Sequence, residues 1–139
     1  MSYLGLDIGE KRIGVARSDE LHLMAHAVGF IERKNDVETV QAIQKYVDEF
    51  SADQIVVGLP KTMKGESGTQ AEKVLAFIEN LQHRLSCPMV TWDERLSTVQ
   101  AERALLEQDV SRAKRRLKRD AIAAAIVLQS YLDFKRRTR

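Results

Sequence analysis

The sequence has one cysteine, two prolines and one tryptophan in 139 residues, and only 6% of it is aromatic. A lone thiol, Cys87, cannot form an internal disulfide, and no His/Cys cluster has the spacing of a zinc site. The expected setting is therefore reducing and cytoplasmic. Seven glycines and two prolines are too few for a collagen-like or low-complexity chain. No apolar run approaches the roughly 18 residues of a membrane span, so no membrane partner is expected. The first residues, Met1-Ser2-Tyr3-Leu4-Gly5-Leu6-Asp7, lack a basic segment and meet a carboxylate at once, unlike a signal peptide.

What remains is ordinary for a folded domain: 44% hydrophobic and 30% charged residues. The length predicts a single domain over 1–139, large enough to bury a core. The net charge of +2 conceals an asymmetry. Residues 1–111 hold 12 basic and 18 acidic side chains, a net −6, whereas residues 112–139 hold 10 and 2, a net +8. The basic residues cluster at Arg112, Lys114, Arg115, Arg116, Lys118 and Arg119, and again at Lys135, Arg136, Arg137 and Arg139. Such clusters suit a phosphate backbone or, more simply, a solvated face. The second cluster is expected to fray with the chain end.

Periodicity predicts the order βββαβαβαα. Tyr3–Ile8 and Arg12–Ser18 are short apolar runs joined by the turn Gly9-Glu10-Lys11, which predicts a hairpin. Met24–Ile31 is a third strand, with Gly29 a candidate bulge. From Asp36, a candidate N-cap, to Phe50 the apolar residues Val37, Val40, Ile43 and Val47 recur at helical spacing. Gln54–Leu59 is nearly all apolar, as a strand covered on both faces should be. A loop over Pro60–Gly68 leads to a helix over Thr69–Leu85, with its apolar face on Ala71, Val74, Leu75, Ile78 and Leu81. Pro88–Trp92 is a fifth strand. Helices follow over Ser97–Gln108 and Leu117–Phe134, the last rich in alanine. The fold class is α/β, a mixed five-stranded sheet whose first three strands are antiparallel, with helices on both faces.

Acidic residues stand where apolar patterning does not require them: Asp7 at the end of the first strand, Asp93 and Glu94 after the fifth, and Asp120 in the first turn of the last helix. In an open parallel sheet, ligands bind beyond the carboxyl ends of the strands. Carboxylates that converge there repel one another unless a cation neutralises them, and Mg²⁺ or Mn²⁺ is the natural partner. Two such ions can activate a water and stabilise the leaving oxygen of a phosphodiester. Singly, each acid also fits a turn, an Asx-type loop start or a helix first turn.

Four blocks carry a resemblance. They are Gly5-Leu-Asp7-Ile-Gly-Glu-Lys-Arg12-Ile-Gly-Val-Ala16, then Val56-Val-Gly58-Leu-Pro60 with Met63-Lys-Gly65, then Asp93-Glu94-Arg95-Leu-Ser-Thr98, and finally Asp120-Ala-Ile-Ala-Ala124 with Leu128-Gln129-Ser-Tyr-Leu132. In this order they resemble the YqgF/RuvX family. That resemblance implies a ribonuclease H-like fold and a metal-dependent nuclease acting on pre-16S rRNA or on Holliday junctions. It also implies an acidic triad of Asp7, Glu94 and Asp120, with Glu94 rather than Asp93 as the ligand. Arg119 departs from the pattern, since family members often place an apolar residue before the helical Asp.

Other residues keep two readings. Arg12 and Arg95, adjacent to the acids, suit a carboxylate or a substrate phosphate equally. Lys61 and Lys64 meet a phosphate or sit in a solvated turn. Ser97 and Thr98 suit helix caps better than nucleophiles, and Trp92, Cys87 and the three histidines take structural roles. The function expected is an endonuclease in 5′-end processing of pre-16S rRNA, as a monomer or weak homodimer. The alternatives are a resolvase of branched DNA and a non-catalytic nucleic-acid or ribosome-assembly module. A sugar-kinase-like phosphate loop ranks last, because it needs a second large domain.

Overall fold

A computed structural model of the chain describes residues 2–59, 68–93 and 119–137. Five strands form one sheet: β1 (Ser2–Ile8), β2 (Arg12–Ser18), β3 (Ala25–Glu32), β4 (Ala52–Leu59) and β5 (Met89–Asp93). Their spatial order is β3-β2-β1-β4-β5. The pairs β1/β2 and β2/β3 are antiparallel, whereas β1/β4 and β4/β5 are parallel. The predicted mixed sheet is therefore the one observed. Three helices are described: α1 (Asp36–Glu49), α2 (Gly68–Arg84) and α3 (Arg119–Arg137). The helix expected over Ser97–Gln108 lies outside the described residues.

Strand alternation builds two cores. Leu4, Leu6 and Ile8 of β1 join Ile13, Val15, Ile55 and Val57 on one face, where Ile43 and Val47 of α1 and Val74, Phe77, Ile78 and Leu81 of α2 cover them. On the other face Ala16 and Val56 pack against Ala124, Ala125, Leu128, Tyr131 and Leu132 of α3. Neighbouring residues Val56 and Val57 thus serve opposite cores, which is why β4 reads as a continuous apolar run.

Local details differ from the sequence expectations. The N-cap of α1 is Asn35, whose Oδ1 accepts from the Glu38 backbone N–H at 2.9 Å; Asp36 is the first helical residue. Such a cap contributes about 1 kcal/mol. Thr39 replaces Val37 on the buried face of α1, since its hydroxyl donates to the Asn35 carbonyl at 2.8 Å and its polarity is satisfied within the helix. Val37 is exposed. On α2 the buried set includes Phe77, while Leu75 is 39% exposed. The bulge in β3 falls beside Gly29: Val15 pairs with Gly29 and Ala16 with Ala27, which leaves Val28 as the extra residue. Lys135, Arg136 and Arg137 continue α3 rather than fraying from it.

Polar contacts fasten α3 to the sheet. Gln129, almost fully buried, accepts from the Ala25 N–H at 2.8 Å and donates to the Leu23 carbonyl at 3.0 Å. The Trp92 indole donates to the Ser130 hydroxyl at 3.1 Å. Trp92 is accordingly a packed residue under α3, edge-on to Tyr131, as the structural reading expected. Cys87 is buried too, and burial followed by the negative charge of Asp53 raises its thiol pKa, so the thiol form is favoured.

Candidate active site

Four neighbouring strands, β2, β1, β4 and β5, meet in one row at the level of Asp7. Gly14 of β2 and Gly58 of β4 are both Cα partners of Asp7, and Trp92 of β5 pairs with Gly58. Asp7 lies between two glycines, so neither paired residue places a side chain beside its carboxylate. Alternation puts Asp7 on the face of Gly5, and Gly5 faces α3: a methyl group there would lie 2.9 Å from Leu128 Cβ and 3.1 Å from the Ala124 carbonyl oxygen.

Gly14 brings the second carboxylate to this place. A Cβ on Gly14 would lie 1.8 Å from the Asp120 carbonyl oxygen and 2.4 Å from its carbon. The first turn of α3 therefore rests directly on the β2 backbone where the side chain is missing. Neighbouring strands are about 4.8 Å apart, so the Asp120 backbone sits one strand away from Asp7, on the same face. Small residues sustain this close approach along α3, where Ala121, Ala124 and Ala125 are fully buried. An isolated glycine within a strand signals close backbone approach, and Gly14 carried that signal in the sequence.

Arg12 completes the described cluster. Its Nε donates to Asp120 Oδ2 at 2.9 Å, with the two side chains 50% and 32% exposed. At that exposure the pair contributes at most about 1 kcal/mol to stability. Its greater effect is local, because the contact fixes the orientation of the Asp120 carboxylate. Of the two readings of Arg12, the carboxylate contact is the one present. Arg119, one residue before Asp120, is exposed at the same end of α3.

The structure thus gathers Asp7, Asp120 and Arg12, with Arg119 adjacent. Glu94, Arg95, Lys61, Lys64, Arg112, Lys114, Arg115, Arg116 and Lys118 lie outside the described residues. The donors in place are carboxylate oxygens on partly exposed side chains, the ligand type taken by hard divalent cations. Sequence reasoning did not single out Gln129 as the anchor of α3, nor Phe30, which closes the Asp7 row on the β3 side.

Known proteins share this arrangement of chain. The "Putative pre-16S rRNA nuclease" of Caldanaerobacter subterraneus subsp. tengcongensis is 52% identical over 134 residues, 96% of each chain. Thermus thermophilus RuvC, solved in complex with a Holliday junction substrate, matches with a TM-score of 0.61 at 14% identity, covering 99% of this chain and 96% of that one. The Fowlpox virus resolvase, solved with Holliday junction DNA, matches with a TM-score of 0.56 at 13% identity over 97% and 99%. These two likenesses show a shared fold, the ribonuclease H-like one. The family model described as RuvX: Holliday junction resolvase matches residues 1–134. A match of that extent, with a relative of more than half identity, establishes that the chain belongs to the RuvX family.

Proposed function

We propose that the protein is a divalent-metal-dependent endonuclease that hydrolyses nucleic-acid phosphodiesters, and that its substrate is precursor 16S rRNA at the 5′ end. The observation that carries this reading is the contact between Gly14 and the Asp120 backbone, which brings the first turn of α3 to the sheet row that holds Asp7. Asp7 and Asp120 would hold Mg²⁺ or Mn²⁺ together with Glu94, the acid next in the chain after Asp93. A bound divalent ion would supply the charge needed to activate a water and to stabilise a leaving oxygen. Arg12 keeps Asp120 in place until substrate and metal arrive. The choice of ribosomal RNA is supported by the name of the half-identical relative.

A second reading, cleavage of branched DNA, is favoured by the description of the family and by the fold shared with junction-bound resolvases. Incubation with precursor 16S RNA and with a four-way DNA junction, each with Mg²⁺, Mn²⁺ or EDTA, separates the two. Metal-dependent cleavage of RNA alone is the expected result. Cleavage of the junction alone favours the second reading, and cleavage of neither leaves a binding module.

Affinity needs a source other than the acids, which repel a polyanion. The proposal gives that role to Arg112, Lys114, Arg115, Arg116, Lys118 and Arg119, assisted by Lys61, Lys64 and Arg95. Each phosphate contact on a single strand steepens the salt dependence of binding by about 0.7 in log–log slope. The Arg115→Ala/Arg116→Ala variant is expected to bind RNA more weakly, with a slope shallower by about 1.4. Equal slopes in a salt titration return the cluster to a solvated face. Among the described residues no helix is long and apolar enough to cross a membrane. The buried, protonated Cys87 suits a reducing cytoplasm, and one domain acting as a monomer or weak homodimer completes the proposal.

A further inference from the structure

Phe30 closes the row of the sheet that holds Asp7. It is the Cα partner of Gly14, which in turn pairs with Asp7. Residues directly opposite each other on antiparallel strands project to the same face. Gly14 faces α3, so Phe30 does as well, about 10 Å from Asp7 across two strand spacings. Its neighbour Ile31 points the other way and is buried in the core, while Phe30 is 42% exposed. A large aromatic ring left in water at the lip of a charged site stabilises nothing in the fold by that exposure.

The surroundings indicate what the ring meets. The Arg12 guanidinium carbon lies 5.8 Å from the Phe30 centroid, while its Nε holds Asp120. A continuous series of groups therefore runs from an aromatic face through a cation to the Asp120 carboxylate. Among the described residues β3 is an edge strand of the sheet, and it carries Phe30. A planar ring beside a cation matches the two repeating parts of a nucleic-acid strand, a base with a π-face and an anionic phosphate.

We propose that Phe30 is a stacking platform for an unpaired nucleobase near the hydrolysed phosphodiester, with Arg12 beside it facing the intervening phosphate. The inference rests on the nuclease reading for its substrate class. At the 3.4 Å rise of a stacked strand, 10 Å corresponds to about three nucleotides or fewer. Phe30 is thus a positioning residue: it sets which nucleotide lies over the acids without touching the reacting atoms.

The test measures binding of full-length protein in EDTA to single-stranded RNA and DNA oligonucleotides, with one abasic position moved stepwise along each. Phe30→Ala is expected to weaken binding about 5- to 100-fold, with an unchanged salt slope, whereas Phe30→Trp binds within about threefold of wild type. At one abasic position the difference between wild type and Phe30→Ala disappears. Phe30→Leu keeps apolar bulk without a π-face, so it should bind like the alanine variant even if the alanine variant is less stable. Equal binding by wild type and the leucine variant overturns stacking, as does an alanine penalty that no abasic position removes. A wild-type dimer that becomes a monomer on Phe30→Ala assigns the ring to an interface between copies and also overturns it. Absence of oligonucleotide binding by wild type does the same. Because the readout is binding without metal, failure of cleavage by wild type sinks the nuclease reading while an intact abasic cycle preserves the role of Phe30.

Discussion

Asp120→Asn is expected to abolish cleavage while leaving the fold intact. The substitution keeps size and hydrogen-bonding capacity but removes one charged oxygen ligand, and a divalent ion at a phosphoryl centre supplies several kcal/mol of charge stabilisation. A loss of at least about a hundredfold in kcat/KM follows. The thermal midpoint should move by no more than about 4 °C, because the Arg12 pair it weakens is half-exposed and contributes at most about 1 kcal/mol. Asp7→Asn is expected to behave alike in activity. Glu94→Gln and Asp93→Asn form the informative comparison, since adjacent acids cannot be told apart by spacing. If Asp93→Asn is inactive while Glu94→Gln cleaves normally, the third ligand is misassigned. Wild-type activity in Asp120→Asn removes the triad altogether.

Gly14→Ala is expected to be almost as damaging, although it alters no charged group. Its methyl would lie 1.8 Å from the carbonyl oxygen of Asp120, and both partners are backbone. Helix α3 cannot simply lift away, because Gly5, Gln129 and Ser130 hold it to the sheet further along. Strain of this kind costs about 1–3 kcal/mol. Displacing Asp120 by about 1 Å lowers the rate on the order of a hundredfold. Denaturant unfolding and cleavage assays check both effects. Gly29→Ala is the control, since its methyl would meet only the Tyr46 hydroxyl at an ordinary 3.6 Å. Near-wild-type stability and activity in Gly14→Ala would show that the acids do not depend on this contact.

The strands were legible because each is a short apolar run whose two faces are both covered or which ends at a clear turn. Arg12–Ser18 has the same bounds in sequence and structure, and its turn closes through the Gly9 N–H and the Arg12 carbonyl at 2.9 Å. Helix faces were less legible. Val37 and Leu75 fit a 3.6-residue period as well as Thr39 and Phe77 do, although the members of each pair stand about 200° apart around the helix. The rotation is chosen by the sheet beneath, which the helix segment does not contain. Likewise Asn35 and Asp36 are both good caps, and Asn35 is selected by the chain direction entering α1.

For the site, the sequence by itself determined the residue types and their positions at chain ends of elements: Asp7 closing a strand, Asp120 opening a helix, glycines at 14 and 58, and an alanine-rich helix able to approach closely. It also determined the separation of an acidic body from a basic C-terminal part. Only the tertiary structure decided that Gly14 is the seat of Asp120, that Arg12 binds Asp120, and that Phe30 faces the same side as both. The physical reason is that side-chain direction in a strand has period two, so one bulged residue reverses it. Phe30 faces α3 only because Val28 is extra in β3, and that register is set by pairing across strands rather than by either strand alone.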